Sequence, residues 1–283
     1  MGMRKALGLA ASIAVCILTA CTTTQIDRGT YIADTRHHAK NADSRIRFLV
    51  MHYTEIDEAG SLAVLTGDQV SVHYVVPDAP RIENGEPVIY QLVPENKRAW
   101  HAGTSSWQGA TELNASSIGI ENVNLGPIGE QSGEGGENKW QPYPPAQIDA
   151  LIKLSRDIVA RYDIPPTRVV GHSDIAPQRK IDPGPLFPWH ALYDAGVGAW
   201  PDDATVAAHL VGRDPKASSD VRALQEKLRR YGYDIATDGV LDDKTRRVFS
   251  AFQMHFRPSD YAGNADAESD AIAQALLDKY FAN

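Results

Sequence analysis

The spacing of apolar residues changes several times along the chain, and each change predicts a different element. Arg45–Tyr53 (RIRFLVMHY) is rich in branched and aromatic side chains, as a strand should be. Val70–Val76 and Val88–Val93 read as two further strands around a Pro- and Gly-rich loop at Pro77–Pro87. Ser117–Val123 (SIGIENV) is a fourth, and Val169-Val170 leads a fifth into Gly171-His172. After Pro144-Pro145 the period becomes helical. Ile148, Leu151, Ile152, Ser155, Val159 and Tyr162 fall on one face, and Pro165-Pro166 stop the helix. The glycine-rich stretch from Asn124 to Pro145 reads as a long loop or as a rim around a site. Residues 35–200 therefore predict an α/β domain, a mixed β-sheet flanked by helices.

Beyond residue 215 the pattern is helical only. Val221, Leu224, Leu228 and Tyr231 make one stripe, ended by Gly232. Val248, Phe249, Phe252 and Phe256 make a second, with Asp242 or Asp243 as N-cap. Ile272, Leu276, Leu277 and Tyr280 make a third. Residues 215–283 thus predict a small three-helix C-terminal module, joined near Asp214–Ser219. Its removal is expected to leave the first domain working unless Trp200–Leu210 packs the two together.

The N-terminus is of another kind. Arg4-Lys5 precede an uncharged apolar run, Ala6–Ala20, and then Cys21. A basic start and a short apolar stretch predict a signal peptide over residues 1–20, too short to span a bilayer comfortably. Leu18-Thr19-Ala20-Cys21 resembles a bacterial lipobox, which implies cleavage before Cys21 and acylation of its sulfur. Thr22, rather than Asp, favours the outer membrane, facing the periplasm. Residues 21–34 read as a tether. The only other cysteine, Cys16, leaves with the leader, so the mature chain has neither a free thiol nor a disulfide. The 28 basic residues against 36 acidic ones give a net charge of −8. That balance argues against nucleic acid as a partner and against a purely electrostatic membrane anchor.

No P-loop, nucleophile elbow or HExxH helix occurs. The informative segment is Val169–Pro185 (VVGHSDIAPQRKIDPGP), in which a strand-end His172 precedes Asp182 on a Pro/Gly-bounded loop. His52 ends an earlier apolar strand. Two imidazoles and one carboxylate make a three-ligand set for catalytic zinc, with a position left for water. Spacing alone does not single them out among nine histidines.

Motifs in order do. His52-Tyr53-Thr54, Ser117-Ile118-Gly119-Ile120-Glu121, Gly171-His172-Ser173-Asp174-Ile175-Ala176-Pro177 and Arg179-Lys180-Ile181-Asp182-Pro183-Gly184 together resemble the zinc-dependent N-acetylmuramoyl-L-alanine amidases of the amidase-2 type, whose fold is shared with peptidoglycan recognition proteins. Val72-His73-Tyr74 and Trp100-His101-Ala102-Gly103 are similar to that family as well. The resemblance implies that His52, His172 and Asp182 bind Zn2+, that Glu121 is the general base and that Lys180 stabilises the oxyanion. His73, Trp100 and His101 are candidate substrate contacts, and Trp107 and Trp140 could stack on sugar or pack inside. His255 and the remaining histidines read as structural or surface residues. Tyr231-Gly232-Tyr233-Asp234, Thr237-Asp238-Gly239-Val240 and Ala251-Phe252-Gln253 resemble a peptidoglycan-binding domain, although the segment after Gln253 is longer than that pattern. The implied substrates are peptidoglycan and muropeptides, and the protein is expected to be a monomer. A non-catalytic peptidoglycan receptor and a zinc peptidase acting within the stem peptide are the alternatives.

Overall fold

The structure is a computed structural model that describes residues 24–128 and 139–282. The leader, Cys21 and the middle of the glycine-rich loop lie outside the described residues. The chain divides after Asp43 into two units. In the first, Gln25–Asp27 (β1) and Ile32–Asp34 (β2) pair antiparallel where an irregular tether is expected. The Asp27 carboxylate makes the reversal by accepting from the Gly29 N–H.

The second unit begins with Phe48–Tyr53 (β3), Glu58–Leu65 (α1) and Tyr74–Val76 (β4). A hairpin of Ile82–Glu83 (β5) and Glu86–Pro87 (β6) precedes Tyr90–Gln91 (β7). A second hairpin, Ser106–Trp107 (β8) and Ala110–Thr111 (β9), leads to Ser117–Asn122 (β10). Pro127–Ile128 (β11) pairs with Lys139–Trp140 (β12), closing the ends of the glycine-rich stretch. Then follow Pro145–Tyr162 (α2), Val169–Gly171 (β13), the short His172–Ile175 (α3), Trp189–Asp194 (α4) and Asp203–His209 (α5). The last three helices are Val221–Tyr231 (α6), Asp243–Phe256 (α7) and Ala267–Tyr280 (α8). The Asp220, Asp242 and Asp266 carboxylates cap their N-termini.

The main sheet has the order β13-β3-β10-β4-β7, parallel except for the β4–β7 pair. Every residue of β3 is buried, as expected of a central parallel strand covered on both faces. Alternation then sorts the side chains. Leu49, Met51, Ile118, Ile120 and Val169 point to one face, where Leu151, Leu154 and Ile158 of α2 cover them. Phe48, Val50 and Val170 point to the other face. The centre of the buried arc of α2 is Ala150, Leu151, Leu154, Ser155 and Ile158. The expected Ile148, Ile152, Val159 and Tyr162 flank it, half-buried.

Two strands are shorter than the pattern predicts. Val70–His73 does not join the sheet: the Ser71 N–H donates to the Trp100 carbonyl, and the Ser71 hydroxyl accepts from the Trp100 N–H. Only Tyr90–Gln91 of Val88–Val93 pairs with β4.

The larger departure concerns the helical module. Its three stripes form as expected, but they do not enclose a core of their own. Leu228, Tyr231, Phe249, Phe252 and Phe256 share one continuous cluster with Phe48, Val50, Trp107, Val170 and Ile175. Trp107 is 1% exposed, sits edge-on to Tyr231 and Tyr233, and donates from Nε1 to the Thr167 carbonyl. It is therefore a core residue and not a sugar platform. Trp200 bonds to Tyr280 through both its N–H and its carbonyl, and α5 packs on α8. An independently folding first domain is thus not what the structure shows. Each fully buried aromatic or aliphatic side chain contributes about 1.5–3 kcal/mol, and in this cluster that gain belongs to both halves jointly.

Candidate active site

The site forms where three neighbouring parallel strands end. In register, Glu121 lies opposite His52, and the two side chains share the face that carries Val50 and Val170. β13 ends one residue before His172. This carboxyl-end edge is where parallel α/β sheets bind ligands. Asp182 arrives on the loop after α3, tied back by a bond from the Ser173 N–H to its carbonyl. Gly171 leaves room for this approach, because a Cβ there would lie 2.7 Å from Pro183 Cδ.

The three predicted ligands converge. His52 Nδ1 is 3.0 Å from His172 Nδ1 and 3.0 Å from Asp182 Oδ2, and His172 Nδ1 is 3.1 Å from that oxygen. The far ring nitrogens decide what the near ones present. His172 Nε2 lies 3.1 Å from the Ala102 carbonyl, which can only accept, so the proton is on Nε2 and Nδ1 carries a lone pair. Ser117 spends its hydroxyl proton on the Leu113 carbonyl at 2.7 Å and so accepts from His101 Nε2–H at 3.1 Å. His101 Nδ1 then accepts from His52 Nε2–H at 3.0 Å, leaving His52 Nδ1 as a second lone pair. Burial, reinforced by neighbouring histidines, keeps His101 neutral by holding its pKa well below the usual value. Burial pushes His52 down to about 4.

Three acceptors thus face one point with no proton between them, an arrangement that a cation relieves. Tetrahedral ligands about zinc lie ~3.3 Å apart, close to the spacing found. Both imidazoles donate their other N–H to a fixed acceptor, as metal-binding histidines do. The residues present fit Zn2+.

Glu121 and Lys180 flank this triangle in a cleft of about 360 Å3, large enough for a sugar or a short peptide. Glu121 Oε2 is buried without a hydrogen-bond partner. Burial and the charge on Asp182 raise the Glu121 pKa well above its usual value, and Lys180 opposes them. Trp100, 53% exposed under the Arg98 guanidinium, and the buried ring of His101 also line the cleft. His73 does not. It is fully buried, its Nδ1 accepts from the Gly119 N–H and its Nε2–H donates to the Lys97 carbonyl, so it is a packing residue and not a substrate contact. Trp140 is half-buried, packs against Gly184 and donates to the Tyr261 hydroxyl.

Sequence reasoning missed one wall. Helix α1 supplies Ser61, Val64 and Leu65, with Ile56 beside them. Its start was signalled by Asp57, whose carboxylate caps the Gly60 N–H. Arg179 was also missed as an organiser: its guanidinium donates to the Ala102 and Thr104 carbonyls. Asn114, which accepts from the His101 and Ala102 N–H groups, carries no sequence signal.

Residues 42–185 match the N-acetylmuramoyl-L-alanine amidase family of the amidase-2 type, and residues 217–268 match a peptidoglycan binding domain. The chain is 54% identical over 255 residues to N-acetylmuramoyl-L-alanine amidase AmiD of Escherichia coli K12, covering 90% of this chain and 91% of AmiD. The fold matches the solved complex of E. coli AmiD with the substrate anhydro-N-acetylmuramic acid-L-Ala-D-gamma-Glu-L-Lys at a TM-score of 0.85. Identity there is 53%, over 91% of this chain and 98% of that one. It matches AmpDh3 of Pseudomonas aeruginosa in complex with anhydromuramic pentapeptide at 0.76, with 42% identity over 90% and 98% of the two chains. With its fold, its convergent site and these likenesses in agreement, the chain belongs to the amidase-2 family of N-acetylmuramoyl-L-alanine amidases.

Proposed function

We propose that this protein is a zinc-dependent peptidoglycan amidase. It hydrolyses the amide between the lactyl group of N-acetylmuramic acid and L-alanine of the stem peptide, in cell-wall turnover and recycling. The observation that carries the zinc assignment is the convergence of His52 Nδ1, His172 Nδ1 and Asp182 Oδ2 to within 3.1 Å of one another in the cleft. Zinc bound by these three residues would acidify water and polarise the scissile carbonyl. Glu121, with an unpartnered oxygen and a raised pKa, takes the proton as the water oxygen bonds to the lactyl carbonyl carbon. It returns that proton to the alanine nitrogen as the C–N bond breaks. Lys180 faces the same cleft and offsets the negative charge that develops on the carbonyl oxygen. Trp100 and α1 wall the substrate.

The lipobox supports acylation of Cys21 and retention at the outer membrane. Among the described residues no helix is long and apolar enough to cross a membrane, so acyl chains would supply the anchor.

Loss of activity on chelation and its return with one equivalent of zinc tests the metal. Glu121→Ala should lower turnover by roughly 10²–10⁴ with zinc content kept, and Lys180→Ala by about 10²–10³. A variant with full activity would remove that residue from the mechanism.

A further inference from the structure

The turn that carries His172 is held from the far end of the chain. Asp174 is 1% exposed and accepts three hydrogen bonds. Gly171 N–H donates to its Oδ2 at 2.7 Å, Tyr233 O–H to its Oδ1 at 2.6 Å, and His255 Nδ1–H to its Oδ2 at 2.8 Å. The first bond closes α3 on the end of β13, on either side of His172. The next residue, Ser173, donates its N–H to the Asp182 carbonyl. The segments bearing two proposed zinc ligands are therefore joined beside Asp174.

Tyr233 and His255 both belong to the helical module, and neither is free to do anything else. Tyr233 is 2% exposed and packs edge-on against Trp107 at 4.8 Å. His255 is 5% exposed and stacks on Trp189 at 3.7 Å, 12° from parallel. Its Nε2 has no partner, so the bond to Asp174 is its one side-chain polar contact. Side chains so enclosed cannot meet glycan. Their polar atoms are spent on a carboxylate two residues from a proposed ligand.

We infer that the helical module is a positioning element of the metal centre: Tyr233 and His255, acting through Asp174, set the α3 turn so that His172 Nδ1 meets His52 and Asp182. The module then does more than add affinity for the wall, because the geometry of the hydrolytic site depends on it. This inference rests on the zinc reading above.

The test uses the full chain. Zinc affinity of the folded, metal-free protein is measured by competition with a chromophoric chelator, with near-ultraviolet circular dichroism reporting packing. Tyr233→Phe deletes one oxygen, and His255→Phe removes the donor but keeps the stacking. Each should weaken zinc binding about tenfold, the low end for a residue acting from outside the ligand shell. His255→Asn, which restores a donor near Nδ1, should recover most of the loss. The double variant should lose less than the sum of the single losses, since both residues serve one acceptor. Folded variants that bind zinc within twofold of wild type would overturn the inference and leave Tyr233 and His255 as packing residues. Should His255→Phe fail to fold, Tyr233→Phe decides. Failure of the wild-type chain itself to bind zinc would instead overturn the zinc reading.

Discussion

Adding one methyl group at Gly119, which is not itself a ligand, tests the account through His101, the hydrogen-bond partner of His52. Gly119 sits in β10 at a backbone conformation open to alanine, and exchanging glycine for alanine in a strand interior should by itself gain about 0.5–1 kcal/mol. Space opposes this. A Cβ there would lie 2.6 Å from Cγ and Nδ1 of His101 and 2.8 Å from Cδ2, whereas ordinary contact begins near 3.4 Å. The ring or the strand must give by about 0.8 Å. His101 is enclosed by His52 and His73 and bonded at both nitrogens, so it cannot turn aside without losing His52 or Ser117. Overpacking of this kind costs ~1–3 kcal/mol and should outweigh the backbone gain. In a unit of this size that cost lowers Tm by roughly 2–12 °C before the backbone gain is subtracted. The functional effect should be larger. A displaced His101 no longer holds the His52 Nε2 proton, and losing such a partner weakens metal binding about 10–100-fold. Thermal melts of the metal-free protein and a zinc competition titration read the two effects separately. If Gly119→Ala matches wild type in both, the chain of hydrogen bonds from His52 to Ser117 has no role in setting the ligand.

Other outcomes follow from the same structure. Trp107→Ala empties the centre of the shared core and should cost about 3–5 kcal/mol, with a drop in melting temperature on the order of 10 °C; an unchanged melt would mean the two halves do not depend on that contact. A chain ending at Asp214 would expose Phe48, Val50 and Val170 and should fail to fold cooperatively, so a dispersed NMR spectrum and a sharp melt from that fragment would contradict the shared core. Arg161, aided by the Tyr74 and Tyr162 hydroxyls, holds the Glu95 carboxyl down to about 2 from an ordinary 4.5. With the folded value depressed, that stability is present above pH 4.5 and lost as pH falls toward 2. Glu95→Gln should therefore cost about 1–2 kcal/mol at pH 7, discounted for the half-exposed Arg161, and little near pH 2; denaturant titrations at both pH values check this. Cys21→Ser should move the protein from the membrane to the soluble fraction in a lipoprotein-processing host, and an unmodified Cys21 on mature wild-type protein would refute acylation.

What the sequence disclosed follows from how locally each feature is determined. β3, β10 and β13 were legible because a buried parallel strand needs an unbroken apolar run, and the polar residues that interrupt those runs, His52 and Glu121, stand out for that reason. The cap at Asp242 was legible because a cap is set within four residues. Val70–His73 was misread as strand because its bonding partner, Trp100, is distant in sequence and local propensity cannot see it. His73 was misassigned for the same reason: its partners Gly119 and Lys97 are fixed only by the fold. The C-terminal helices showed their stripes plainly, but a stripe does not say what covers it. Nothing local tells that Tyr231 packs edge-on against Trp107, or that Phe252 shares a cluster with Val170, so that the stripes do not close on each other alone.

The central claim is that water attacks the lactyl carbonyl of muramic acid at the zinc site. Hydrolysis of an anhydro-muropeptide by the zinc-loaded protein in ¹⁸O-labelled water, followed by mass spectrometry, tests it most directly. The account predicts one labelled oxygen in the lactyl carboxylate of the sugar product and an unlabelled peptide with a free alanine amine. Label in a carboxylate of the peptide would mean cleavage within the stem, and no cleavage by a zinc-loaded, folded protein would mean a receptor; either result would contradict the account.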